Sequence, residues 1–116
     1  MKKPKSSKAK TVNESNPLEK DIERAVCKYA VSLGCMQYKF TSPAKRSVPD
    51  RVFITPNGVV FFIEFKRLGG RPTLSQYAEM AKLEAQTAPV FIADSVPFGK
   101  RCVNIAMAFR LDRAAS

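Results

Sequence analysis

The stretch Val48-Pro49-Asp50-Arg51-Val52-Phe53-Ile54-Thr55-Pro56-Asn57-Gly58-Val59-Val60-Phe61-Phe62-Ile63-Glu64-Phe65-Lys66 decides the fold. It holds two apolar runs, 52–54 and 59–63, separated by Thr55-Pro56-Asn57-Gly58. Asn-Gly between apolar runs is a strong signal for a β-hairpin. With Pro56, Asn57 and Gly58 as the loop, Thr55 pairs with Val59, and Asp50 falls directly opposite Glu64. Lys66 lies two residues beyond Glu64 and shares its face, while Phe65 points the other way, into a core. Like charges directly opposite on a strand pair repel each other. Two carboxylates held together call for a counter-charge, and a divalent cation bound through oxygen is the obvious one. The five apolar residues before Glu64 mark this strand as central, where unused charge is costly.

Outward from the hairpin, the chain reads as one domain preceded by a tail. Its 116 residues suffice for a single compact domain, and an apolar content of 45% suits a folded one. Residues 1–15 are rich in Lys, Ser and Ala, and read as a disordered basic arm, with residues 16–116 as the domain. Asn16 and Pro17 read as the cap and first position of a helix, with Glu19 at the third. Its stripe is Leu18, Ile22, Val26, Tyr29 and Leu33, and Gly34 stops it. Met36, Tyr38 and Phe40 alternate with polar residues as a half-buried strand, and 41–49 is a loop. After the hairpin, Thr73 is expected to cap a second helix whose buried side is Leu74, Tyr77, Ala78, Ala81 and Ala85. Residues 89–93 read as a strand parallel to a neighbour, because a helix crosses over to reach it. Val103 to Phe109 reads as a short last helix. The order α-β-β-β-α-β is an α/β fold with one mixed sheet flanked by helices.

Charge and composition narrow the chemistry. The chain carries 20 Lys and Arg against 10 Asp and Glu, a net charge of +10. An excess of this size favours a polyanionic partner, nucleic acid first. Histidine is absent, which excludes Ser–His–Asp and Cys–His catalysis and every histidine metal ligand. Cys27, Cys35 and Cys102 have no metal-ligand spacing and read as buried thiols. No apolar run is long enough to span a membrane, and the N-terminus lacks the apolar stretch of a signal peptide, so a cytoplasmic location is expected. What remains is chemistry by carboxylates, a lysine, water and a metal. Two carboxylates can hold Mg²⁺ or Mn²⁺, with the Phe65 carbonyl as a further ligand and Lys66 stabilising developing charge. Asp50, Glu64 and Lys66 are therefore the candidate catalytic residues. The alternative is a basic nucleic-acid-binding module without turnover.

The segments 18–26, 39–43, Val48-Pro49-Asp50-Arg51, Phe62-Ile63-Glu64-Phe65-Lys66 and Pro72 through Gln76, in this order and spacing, resemble the PD-(D/E)xK nuclease superfamily, and more closely its VRR-NUC branch. The resemblance spans residues 18 to about 95. It implies a restriction-endonuclease-like core and divalent-metal-dependent cleavage of DNA phosphodiesters. It implies Asp50 and Glu64 as metal ligands, Lys66 as the catalytic lysine, and Gln76 as the glutamine that opens the next helix. An acidic residue of the first helix also belongs to the pattern; Glu19 and Glu23 both qualify, with Glu19 preferred. Small stand-alone members, phage or bacterial, look like homodimeric enzymes acting on branched DNA such as four-way (Holliday) junctions. No small-molecule cofactor is expected. Lys45, Arg46, Arg51, Arg67 and Arg71 lie in loops at the triad's end of the sheet and are expected to contact phosphates.

Overall fold

A computed structural model describes residues 18–42 and 47–109. The basic arm, Asn16, Pro17, Lys45 and Arg46 lie outside the described residues. The elements are α1 (Glu19–Ser32), β1 (Met36–Lys39), β2 (Arg51–Ile54), β3 (Val60–Phe65), α2 (Leu74–Ala85), β4 (Val90–Ala93) and α3 (Val96–Ala108). The strands form one sheet in the order β1-β2-β3-β4. The first two pairings are antiparallel and the last is parallel, as the hairpin and the crossover helix require.

The hairpin register is the expected one. Arg51 pairs with Ile63 and Ile54 with Val60. Thr55 N donates to the Val59 carbonyl at 2.9 Å, closing a loop of residues 56–58. One step past the Arg51–Ile63 pair, Asp50 stands opposite Glu64. Phe40 N donates to the Asp50 carbonyl at 2.9 Å, so β1 extends its pairing to the site residue itself.

The core lies on one face of the sheet. Phe53, Phe61, Ile63, Phe65 and Ala93 pack there against Ile22, Val26 and Ala30 of α1 and Cys102, Val103 and Ala106 of α3. Gly99 allows the two helices to close, since a Cβ there would lie 2.4 Å from Val26 Cγ2. The three cysteines are buried free thiols. The opposite face carries Met36, Tyr38, Val60, Phe62 and Glu64. It is covered only in part, by α2.

Four expectations need correction. The cap of α1 is Leu18, not Asn16: Leu18 is extended, has no capping side chain, and its carbonyl accepts from Asp21 N and Ile22 N. Glu19 is thus the first helical residue and has no capping task. With Asp21 it places negative charge in the first turn, which the helix dipole favours. The strand at Met36 forms, but Met36 and Tyr38 are about half exposed because they point to the open face. The expected buried side of α2 is wrong. Leu74, Tyr77, Ala78, Ala81 and Ala85 are all exposed, and the inward residues are Gln76, Glu79, Met80 and Leu83. The cap explains this rotation. Thr73 Oγ1 accepts from Gln76 N at 3.1 Å and Gln76 Oε1 accepts from Thr73 N at 2.8 Å, a complete capping box that directs Gln76 inward. Finally, the last helix begins seven residues earlier than expected. Ser95 caps it by accepting from Phe98 N, and a proline occupies its first turn.

The end of α1 is a Schellman motif, with Gly34 at φ +94°. Cys35 N donates to the Ala30 carbonyl and Gly34 N to the Val31 carbonyl. This closing turn sends the chain directly into edge strand β1.

Candidate active site

Two strand ends and one helix start build the site. Asp50 precedes β2, Glu64 and Phe65 end β3, Lys66 follows, and Gln76 opens α2. Asp50 is fixed by its own hairpin, with Phe65 N donating to its Oδ2 at 2.8 Å. Both main-chain groups of a residue in an antiparallel pair address the same neighbouring strand, so the Phe65 carbonyl leaves β3 on the Asp50 side. On the other side, Lys66 N donates to the Ala93 carbonyl at 2.9 Å.

Glu64 is the unusual residue. It is 2% exposed. Its Oε2 accepts from Gln76 Nε2 at 2.8 Å and lies 3.3 Å from Lys66 Nζ. Its Oε1 is buried and has no partner. A buried carboxylate oxygen left unpaired is costly. Burial, and next the neighbouring charge of Asp50, push the Glu64 carboxyl up to about 7, against the pull of Lys66. Burial also raises Asp50, while the Phe65 N–H lowers it. The site is thus rich in carboxylate and short of positive charge.

Both α1 candidates are felt at the site: burial raises the Glu19 carboxyl and the charge of Asp50 raises it further, while the charge of Glu23 adds to burial in raising Asp50. Glu23 is held by Arg51 Nε and, at 4.0 Å, Lys39 Nζ. Arg51 also donates to Gln37 Oε1 at 2.7 Å, so this predicted phosphate contact is committed to an internal cluster. Arg67 and Arg71 are exposed on the connection after β3.

The donors present fit a hard divalent cation. Among the described residues no three acidic or cysteine side chains gather as a metal-ligand cluster. Mg²⁺ needs less, since one or two carboxylates together with water and phosphate oxygens serve it. Glu64 Oε1 is the unsatisfied oxygen such an ion would take. Asp50, Glu64 and the Phe65 carbonyl are the groups able to hold it.

No family model matches the chain. Over 77 residues, 66% of the chain, it is 40% identical to p44 of Acyrthosiphon pisum secondary endosymbiont phage 1, a protein provisionally designated a nuclease; the match covers 83% of p44. A solved VRR_NUC domain superposes with a TM-score of 0.69 at 23% identity, covering 74% of this chain and 94% of that one. The chain belongs to the VRR-NUC family. It has the mixed sheet and flanking helices of the VRR-NUC fold, and its kinship is with nucleases. Within this VRR-NUC chain no helix among the described residues is long and apolar enough to cross a membrane.

Sequence reading missed one part of this geometry. The pairing of Arg51 with Glu23 and Gln37 joins β2, α1 and β1. No local spacing signals it, because the three residues are distant in the chain.

Proposed function

We propose that this protein is a divalent-metal-dependent, structure-specific DNA endonuclease that hydrolyses phosphodiester bonds in branched DNA, such as four-way junctions or flaps. The observation that carries the reading is the buried, partnerless Oε1 of Glu64 beside Asp50 and Lys66. Mg²⁺ or Mn²⁺ held by Asp50, Glu64 and the Phe65 carbonyl, with Glu19 near by, would orient water and neutralise charge on the phosphoryl oxygens. The chain's own residues do the rest. The Phe65 N–H holds Asp50 in place. Gln76, its amide oxygen engaged by Thr73 N, presents its NH₂ to Glu64 and fixes that carboxylate. The Lys66 ammonium stands beside them and stabilises negative charge developing on the phosphate. Arg67 and Arg71, with Lys45 and Arg46, add affinity for the DNA backbone. Each chain offers one such site, so cutting both strands of a junction calls for a homodimer. The likeness to a phage protein favours action in the cytoplasm of a bacterial host.

Labelled four-way, flap and linear duplex DNA incubated with the protein and Mg²⁺ or Mn²⁺ provide the test. Cleavage of branched substrates above duplex, abolished by a chelator, is expected. If every substrate is bound and none is cut, the protein is a binding module and the enzyme reading fails. A light-scattering mass of a monomer, with junction DNA bound, would remove the dimer.

A further inference from the structure

A groove of about 550 Å³ runs between α1 and edge strand β1. Its walls carry Lys20, Arg24 and Lys28 from α1, Lys39 from β1 and Arg51 from β2, against the single carboxylate of Glu23. None of the α1 cations belongs to the site described above. Glu23 is already occupied by Arg51 and Lys39. Arg24 meets Asp21 at 3.2 Å but is 73% exposed, so it remains open to a competing anion. Lys20, Arg24 and Lys28 repeat at four-residue spacing and so share one helix face. They span about 12 Å along the axis at 1.5 Å per residue, roughly the axial length of three or four nucleotides of one strand.

Position gives the groove its meaning. It starts near the active site: Lys39 of the groove immediately precedes Phe40, whose N–H donates to the Asp50 carbonyl, and Glu19, next to Lys20, feels the charge of Asp50. From there the cations lead away along α1. The geometry points to a phosphate track, in which the α1–β1 groove binds the backbone of a DNA strand running to the active site. This rests on the reading of DNA as substrate and adds the path that the DNA takes. Gln37 apart, the walls offer few groups to read bases, so the track binds without regard to sequence.

The test is DNA binding without metal, measured by anisotropy from 50 to 300 mM salt. The triple variant Lys20→Gln, Arg24→Gln, Lys28→Gln is compared with wild type. A charge-matched control carries Lys82→Gln, Lys100→Gln and Arg101→Gln, on α2 and α3 outside the groove. All six side chains belong to exposed residues, and a thermal melt verifies folding. The groove variant is expected to bind more than tenfold more weakly than the control at 150 mM salt. Its slope of log K against log salt should flatten by about 2 to 3, as three lost phosphate contacts require. Equal affinity and slope in the groove variant and the control would overturn the track. Wild type that fails to bind DNA at all would overturn the DNA reading itself. As a second variant, Lys39→Gln alone should flatten the slope by about 1; no change there also counts against the groove.

Discussion

Two polar clusters flank the first residues of β2, and each sets a glutamate against a lysine and a glutamine. In one, Glu23 meets Arg51 and Lys39, and Gln37 completes the Arg51 shell. In the other, Glu64 meets Lys66 and Gln76, with Asp50 alongside. The first has more cations than carboxylates, and Glu23 remains partly open to solvent. The second has two carboxylates to one lysine, lies deeper, and leaves an oxygen of Glu64 without a partner. An ion pair that satisfies itself ties strands to a helix and needs nothing further. A buried cluster that is short of positive charge leaves a deficit that a proton or a bound cation can fill, and such a deficit is the mark expected of a reactive site.

The sharpest break between the clusters is activity. Lys66→Ala or Asp50→Ala should lower the single-turnover cleavage rate by about 10³-fold or more, consistent with losing a preorganised charge at the reacting centre. DNA binding without metal should stay close to wild type. Normal cleavage in either variant would dissolve the assignment.

Stability separates them next. In the folded protein Glu64 titrates near 7, above its ordinary value of 4.5. Between those values the folded state keeps a proton that the unfolded state has released. The Glu64 contribution to the stability of the metal-free protein therefore falls as pH rises from about 4.5 to 7 and is level above it. Glu64→Gln removes the buried charge and should end cleavage. It should raise unfolding stability at pH 8 by up to about 3 kcal/mol, the free energy of ionising a carboxyl held that far above its ordinary range. A denaturant melt that shows destabilisation at pH 8 would contradict the deficit. Glu23→Gln should move the other way, losing about 1 kcal/mol or less, as befits a partly exposed pair.

Gln76 joins fold and chemistry. Gln76→Ala removes half of the capping box, at about 1 kcal/mol, and frees Glu64, with cleavage falling about 10- to 100-fold as for other residues that orient a ligand. Gln76→Glu can retain the cap yet cannot donate to Glu64. Matching rates for Gln76→Glu and wild type would show that only the cap matters. The smallest expected contrast is between the two α1 acids. Glu19→Gln should slow cleavage several-fold and Glu23→Gln should leave it within about twofold. The reverse order would move the α1 contribution to Glu23.

Much of this is legible in the chain. The Asn57-Gly58 turn sets the register, and the register alone brings Asp50 opposite Glu64. The pair Thr73 and Gln76 announces a capping box at fixed spacing. What stays hidden depends on tertiary placement. The face of α2 misleads because apolar Leu74 and Tyr77 are exposed, while polar Gln76 turns inward to serve Glu64. Met36 and Tyr38 alternate as a half-buried strand should, but the sheet face they address has little covering it. The Arg51–Glu23 pair and the lysines along α1 gain their meaning only once β1 folds beside α1. The start of α3 does carry a local signal, a Ser95 cap followed by Pro97.

The deficit at Glu64 is tested most directly by the unfolding midpoint of metal-free protein at pH 7.5 as Mn²⁺ is added. An ion that binds only the folded site stabilises by about 2.7 kcal/mol at a hundred times its dissociation constant. Wild type should therefore melt higher with Mn²⁺, and Glu64→Gln should not respond. An equal rise in both proteins, or none in wild type, would contradict the claim that this buried carboxylate awaits a cation.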